Sequence, residues 1–194
     1  MKITPYPEIR DSLKTMDVIN CEHKSLIWRM IGHTAGVYRE PHTGQLQVFE
    51  STTRNRINGV SGVQLTPMGL WLQKYPGKVY VRSMKTQLGV KKKSREFVHD
   101  YLGTSYPDLS GWSGRMKLIM ASFDFEIRGH DYLRYKGADK GIFCTMLIAM
   151  WYQYCTLMNQ QHSAMEYEPD DFRNGGKAEG DLMYCSLGEE RRLK

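Results

Sequence analysis

The sequence contains no uninterrupted apolar run of the roughly 18 residues that a membrane-spanning helix requires. Its richest stretch, Ile142 to Cys155, is shorter and is interrupted by Gln153. The first residues, MKITPYPEIRD, lack the apolar core of a secretory signal. These absences predict no membrane span and no signal peptide, with a cytoplasmic or virion-associated location. Cysteine is scarce, with four residues at positions 21, 144, 155 and 185 and no CxxC pair. A chain of 194 residues, 41% of them hydrophobic, can bury a core without covalent staples. A disulfide scaffold is therefore excluded, and a reducing compartment is the simpler expectation.

Cofactor signatures are missing as well. The six histidines show no HExxH or other zinc spacing, and those at 23, 42, 99, 130 and 162 fall in polar segments expected at the surface. Gly175-Gly176 lacks the GxGxxG or GxxxxGKS context of a phosphate cradle. No metal and no cofactor are expected. There is no internal repeat, low-complexity tract, RNA-recognition signature or zinc finger, so no specific nucleic-acid partner is expected either. The net charge of +6, from 27 basic and 21 acidic residues, favours solubility and allows contact with polyanions such as cell-wall polymers. It is spread along the chain, apart from Lys91-Lys92-Lys93 and the basic end Arg191-Arg192-Leu193-Lys194.

What is present reads as one domain, 1–194, with strands first and helices later. Short strands are expected at Met16–Ile19, Thr34–Glu40, Gln45–Glu50, Val60–Leu65 and Lys78–Ser83. The second and third form a hairpin closed by Pro41-His42-Thr43-Gly44. Helices are expected at Lys24–Ile31, at Ser94–Leu102 with Ser94 as N-cap, at Met116–Phe125 and at Ile142–Met158. Tyr106–Gly114 and Gly129–Gly141 read as loop or polar connection. From about residue 160 the chain reads as loop-rich, with one late strand at Asp181–Cys185. The fold class is α+β, a mostly antiparallel sheet with helices packed on one side.

Three features carry chemistry. His33 opens a strand after Gly32, Glu50 ends the partner strand, and Cys144 begins the most apolar helix. With residue 40 opposite 45 in the hairpin, His33 and Glu50 fall at the same end, two positions out of register. Such diagonal neighbours lie about 7–8 Å apart, within reach of their side chains. A helix N-terminus and a nearby imidazolium both lower a thiol pKa. The imidazole can then serve as general acid and base, oriented by the carboxylate. Cys155, three turns along the helix from Cys144, is expected in the core, and Cys21 and Cys185 read as structural or incidental.

The order His, acid, Cys resembles the circularly permuted branch of the NlpC/P60 papain-like superfamily, the YiiX-like amidases related to lecithin:retinol acyltransferase. Several stretches are similar in sequence order. They are Met16-Asp17-Val18-Ile19, Lys24 to Trp28, Gly32 to Val37, Phe49-Glu50-Ser51, Tyr101 to Tyr106, Phe143 to Ile148, and Glu168 to Phe172. The chain departs from the family pattern at Met16, where the family carries Gly, at Gly32, commonly Ser, and at Thr145-Met146, commonly Ser-Glu. Lys117 to Lys140 match no part of the pattern.

The resemblance implies a permuted papain-like fold and a cysteine hydrolase that cleaves an amide or ester through an acyl-enzyme. Cys144 would be the nucleophile, His33 the base and then acid, and Glu50 the orienting residue. Tyr106 would line the substrate cleft. A peptidoglycan stem-peptide amide is the implied substrate, with acyl-lipid transfer the nearest alternative. The alternative from another class is a non-catalytic binding or structural module of the same fold, such as a phage virion or tail component with other phage structural proteins as partners.

Overall fold

The β-branched and aromatic run Val79-Tyr80-Val81 forms the strand that its composition favours. A computed structural model of the chain describes residues 3–23, 32–53, 55, 57–86, 89–107 and 141–194. In chain order the described elements are α1 (Tyr6–Ile9), β1 (Val18–Glu22), β2 (His33–Arg39), β3 (Leu46–Thr52), β4 (Gly62–Pro67) and α2 (Met68–Lys74). Next come β5 (Lys78–Arg82), β6 (Met84–Thr86), α3 (Lys91–Tyr101) and α4 (Cys144–Tyr154). Last are α5 (Ala178–Asp181), β7 (Cys185–Leu187) and β8 (Arg191–Arg192). Six strands make one sheet in the order β4-β3-β2-β1-β5-β8, and β6 pairs with β7 in a separate ribbon. Every described pairing between strands is antiparallel. The fold is α+β, and no described helix is long and apolar enough to cross a membrane.

The hairpin of β2 and β3 has the expected register. Arg39 faces Leu46, and the Glu40 N–H donates to the Gln45 carbonyl across the four-residue loop. The sheet is covered on both faces, so β2 and β3 are buried at nearly every position rather than at alternate ones. One face carries Phe49 and Tyr38 against α3 and α4; the other carries Ala35, Val37 and Val48 against α2. Helices thus cover both sides of the sheet, not one as expected. Helix α2 was not anticipated, although Met68, Trp71, Leu72 and Tyr75 follow the i, i+3, i+4, i+7 spacing of an apolar helix face.

Other boundaries also differ from the sequence reading. Strand β1 begins two residues later than expected, because Met16 lies in a turn with φ of 78°. Helix α3 begins at Lys91, so Ser94 is inside it rather than capping it; its buried hydroxyl accepts a hydrogen bond from the Trp151 indole at 3.1 Å. Helix α4 stops at Tyr154, four residues early, and Thr156 adopts φ of 59°. Asp181 ends a short helix, and the strand begins only at Cys185. The basic end is not simply a solvated tail, because Arg191 and Arg192 form the sheet edge beside β5. The helices expected at Lys24–Ile31 and Met116–Phe125, and most of the Gly129–Gly141 connection, lie outside the described residues.

Helix α4 is buried at every position from Thr145 to Gln153, as its nearly uniform hydrophobicity implies. Its largest side chain, Trp151, sits directly on β2. The contact requires Gly36: a Cβ there would stand 2.5 Å from the Trp151 ring. Phe49, opposite Gly36 in the register, meets the same ring edge-on at 5.2 Å. Replacing Gly36 with Ala overpacks this contact and should cost about 1–3 kcal/mol. The check is a lowered urea midpoint with an unchanged denaturant slope in G36A; an unchanged midpoint would contradict the packing argument.

Candidate active site

Three elements converge where β2 begins. Residues 33, 35 and 37 of β2 and residues 48 and 50 of β3 share one sheet face, because side chains alternate along each strand. The register extended from Gly36–Phe49 puts Glu50 opposite Ala35, so His33 is its diagonal neighbour. The two side chains meet: His33 Nε2 lies 2.8 Å from Glu50 Oε2. The Glu50 side chain is only 4% exposed and that of His33 17%.

Cys144 arrives from the other end of the chain and is pinned there by local contacts. Ser51, next to Glu50, donates its hydroxyl to the Ile142 carbonyl at 2.5 Å. The Ile142 N–H donates to Ser105 at 3.0 Å. Gly141 lies so close to the Tyr106-Pro107 backbone that a side chain there would collide with it. Cys144 is then the first residue of α4, whose start carries no side-chain cap. Its first-turn N–H groups therefore face the sulfur end without an internal competitor.

The Cys144 thiol and the His33 ring are close enough to interact directly. Since Nε2 is engaged by Glu50, Nδ1 is the ring nitrogen left for the sulfur. Burial alone would raise the Cys144 pKa. The hydrogen bond and charge of His33, with the Thr34 and Thr145 backbone N–H groups, outweigh burial and lower it. Burial alone would lower the His33 pKa, and its contacts with Cys144 and Glu50 outweigh that and raise it. Both shifts favour a thiolate–imidazolium pair, the reactive form of a cysteine nucleophile.

The other thiols lack such support. Burial pushes Cys21 well up, Cys155 up to about 12 and Cys185 up to about 11. Cys155 is core, as expected, while Cys21 lies directly across β1–β2 from His33 and lines the floor of the site. Tyr106 is half-buried and packs edge-on against Phe143 with ring centroids 5.8 Å apart. Beside Gly32 is a polar cavity of about 220 Å³ walled by Asn20, Glu22, Pro169, Asp170 and Arg173.

All four residues singled out from the sequence therefore fall in one region, with His33 joining Glu50 to Cys144. Of the remaining histidines, His42 and His99 are exposed as expected, whereas His23 is half-buried. His162 is half-buried beside Glu166 at 3.1 Å, and His130 lies outside the described residues. No cluster of metal ligands occurs among the described residues.

Two residues at the site were not anticipated. Glu50 Oε1 accepts from the Trp71 indole at 3.0 Å and from the Asn55 amide at 3.1 Å. The apolar spacing of α2 was a usable signal for Trp71 as a helix-face residue. Nothing in the sequence separates Asn55 from an ordinary turn asparagine. A scan against protein-family models finds no match, and a comparison with curated protein sequences finds none either.

Reactivity checks the electrostatics. Iodoacetamide at pH 7 should label Cys144 at least about tenfold faster than Cys21, Cys155 or Cys185, because only its pKa is lowered. As pH falls through the ordinary thiol range near 8.5, its rate should hold nearly steady, since a depressed pKa keeps the thiolate populated there. In His33→Ala the rate at pH 7 should collapse and recover only in alkali. Mass-spectrometric peptide mapping reads both; equal labelling of Cys144 and Cys21 in the native chain would contradict the pairing.

Proposed function

We propose that this chain is a cysteine hydrolase of the permuted papain-like kind, cleaving an amide or ester through an acyl-enzyme. The observation that carries the reading is the His33–Glu50 hydrogen bond with Cys144, at a helix start, beside the imidazole. Two further observations support the family resemblance. Met16 adopts φ of 78°, the backbone region that glycine favours, at the position where the family carries glycine. The order His, acid, Cys along the chain matches a set of residues that meet in space.

The chemistry follows from the arrangement. The Cys144 thiolate attacks the substrate carbonyl carbon, a C–S bond forms, and the carbonyl electron pair moves onto oxygen. Backbone N–H groups at the start of α4 are oriented to stabilise that oxyanion. The His33 imidazolium gives its proton to the leaving amine or alcohol as the scissile bond breaks. Water then adds to the thioester, with His33 taking its proton, and the thiolate is released. Glu50 holds the ring with Nδ1 toward sulfur and balances the imidazolium charge.

The cavity beside Gly32 is lined by Glu22, Asp170 and Arg173, with Arg173 paired to Glu22. That lining suits a peptide better than an acyl chain, so a peptidoglycan stem-peptide amide is the preferred substrate class and acyl transfer to or from lipid the lesser one. Tyr106 packs on Phe143, the residue before the nucleophile, and in this reading would wall the substrate cleft.

The test incubates the chain with defined stem peptides and with activated acyl esters, and follows product together with intact protein mass. The expected result is turnover of at least one probe and a transient acyl adduct on Cys144. Cys144→Ala should abolish both, and Glu50→Gln should reduce kcat on the order of 10- to 1,000-fold while sparing KM. If no probe acylates Cys144 and its thiol reacts no faster than Cys21, the hydrolase reading fails, and the fold serves binding or assembly instead.

A further inference from the structure

Glu50 is held from two sides that make no use of the nucleophile. Its Oε2 faces His33, and its Oε1 takes two donors, the Trp71 indole of α2 and the Asn55 side chain from the β3–β4 connection. Asn55 is built to present that amide. Its Oδ1 accepts from the Ile57 and Asn58 backbone N–H groups at 2.8 and 3.3 Å, and its Nδ2 also donates to Thr66 at 2.9 Å. Trp71 is fixed by stacking on Tyr75, with centroids 4.9 Å apart and an interplanar angle of 20°. Asn55 and Trp71 are 3% and 5% exposed, so water does not substitute readily for either donor.

We infer that Trp71 and Asn55 are positioning residues that keep the Glu50 carboxylate turned toward His33, and so set how far into acid the nucleophile stays charged. The inference rests on the hydrolase reading of the site. A carboxylate this deeply buried keeps one orientation only while donors hold both of its oxygens. Were it to turn from the ring, the imidazolium would lose its counter-charge and the Cys144 pKa would rise toward that of an ordinary thiol. Among the described residues, the titratable groups facing Glu50 are His33 from β2 and Cys21 from β1; α2 contributes Trp71, and β4 contributes Thr66 through Asn55. Neither titratable neighbour can replace the two Oε1 donors.

Trp71→Phe separates the indole N–H from the packing, because a phenyl ring can still stack on Tyr75. In the full chain, the pH profile of Cys144 alkylation in W71F should move its acid midpoint up by about one unit, a tenfold loss of rate on the acid side, with rates at pH 9 unchanged within about twofold. In the Glu50→Gln background, adding W71F should move the profile no further, because the carboxylate it serves is gone. Asn55→Ser is the second variant and should act in the same direction. A uniform rate loss at every pH, or an effect that persists without Glu50, would overturn the inference and leave Trp71 and Asn55 structural.

The Trp71 indole N–H resonance reads the same link without the thiol. In ¹⁵N-labelled protein it should shift with pH in step with the His33 imidazole, and Glu50→Gln should abolish that shift. If native Cys144 proves unreactive, the hydrolase reading fails while the indole titration still decides whether Trp71 and His33 are coupled through Glu50. An indole resonance indifferent to both His33 titration and Glu50→Gln overturns the positioning role, whatever the thiol does.

Discussion

The hydrogen bond between His33 and Glu50 is the constraint around which the site is organised. An isolated carboxylate buried to this degree costs several kcal/mol. Here its two oxygens are engaged by three partners drawn from β2, α2 and the β3–β4 connection. The imidazole between Glu50 and Cys144 then has a defined face for each. Charge stored at one end of the chain is matched at the next, so the Cys144 pKa falls below the ordinary thiol value in spite of desolvation.

That geometry depends on a sheet covered on both faces. Glu50 and His33 share the α2 face, whereas the body of α4 packs on the opposite face through Trp151 and Phe49. Cys144 reaches His33 because it is the first residue of α4, where the helix begins at the end of the strands. Gly36 lets the helix sit close, and Ser51 ties the incoming chain to the strand that carries Glu50. The C-terminal part of the chain is held by the same economy of buried polar contacts. The Arg82 guanidinium on β5 donates to the carbonyls of Phe172, Arg173, Leu187 and Gly188 and pairs with Glu179. A stretch that looks like loop by composition is thereby fastened to the sheet, and Pro169 and Asp170 become walls of the cavity beside Gly32.

The legible parts of this molecule were those governed by local rules. The hairpin register followed from Pro41 to Gly44 and from alternation in Gln45 to Val48, and it carried His33 and Glu50 to the same end of one sheet face. Strand β5 followed from its β-branched content. Boundaries were less legible wherever a tertiary partner overrode local propensity. Ser94 reads as a cap but serves as the buried acceptor for Trp151. Met158 reads as helix, yet α4 has already turned at Thr156. Helix α2 carried a readable apolar spacing, but Pro67, Gly69 and the short span weakened it as a local signal.

The sequence by itself determined the chemical types available: one cysteine opening an apolar helix, one histidine opening a strand, and one glutamate on the partner strand, which runs two residues past it to Thr52. It determined their order and, through the hairpin, the relation of His33 to Glu50, because side-chain alternation and turn length are local properties. Only the tertiary structure decided that Cys144, 94 positions beyond Glu50 in the chain, comes to lie beside His33. It alone decided that Trp71 and Asn55 hold the carboxylate from behind. Those relations arise from packing a helix and a loop against opposite sides of one sheet, and no local spacing encodes a contact made across a core.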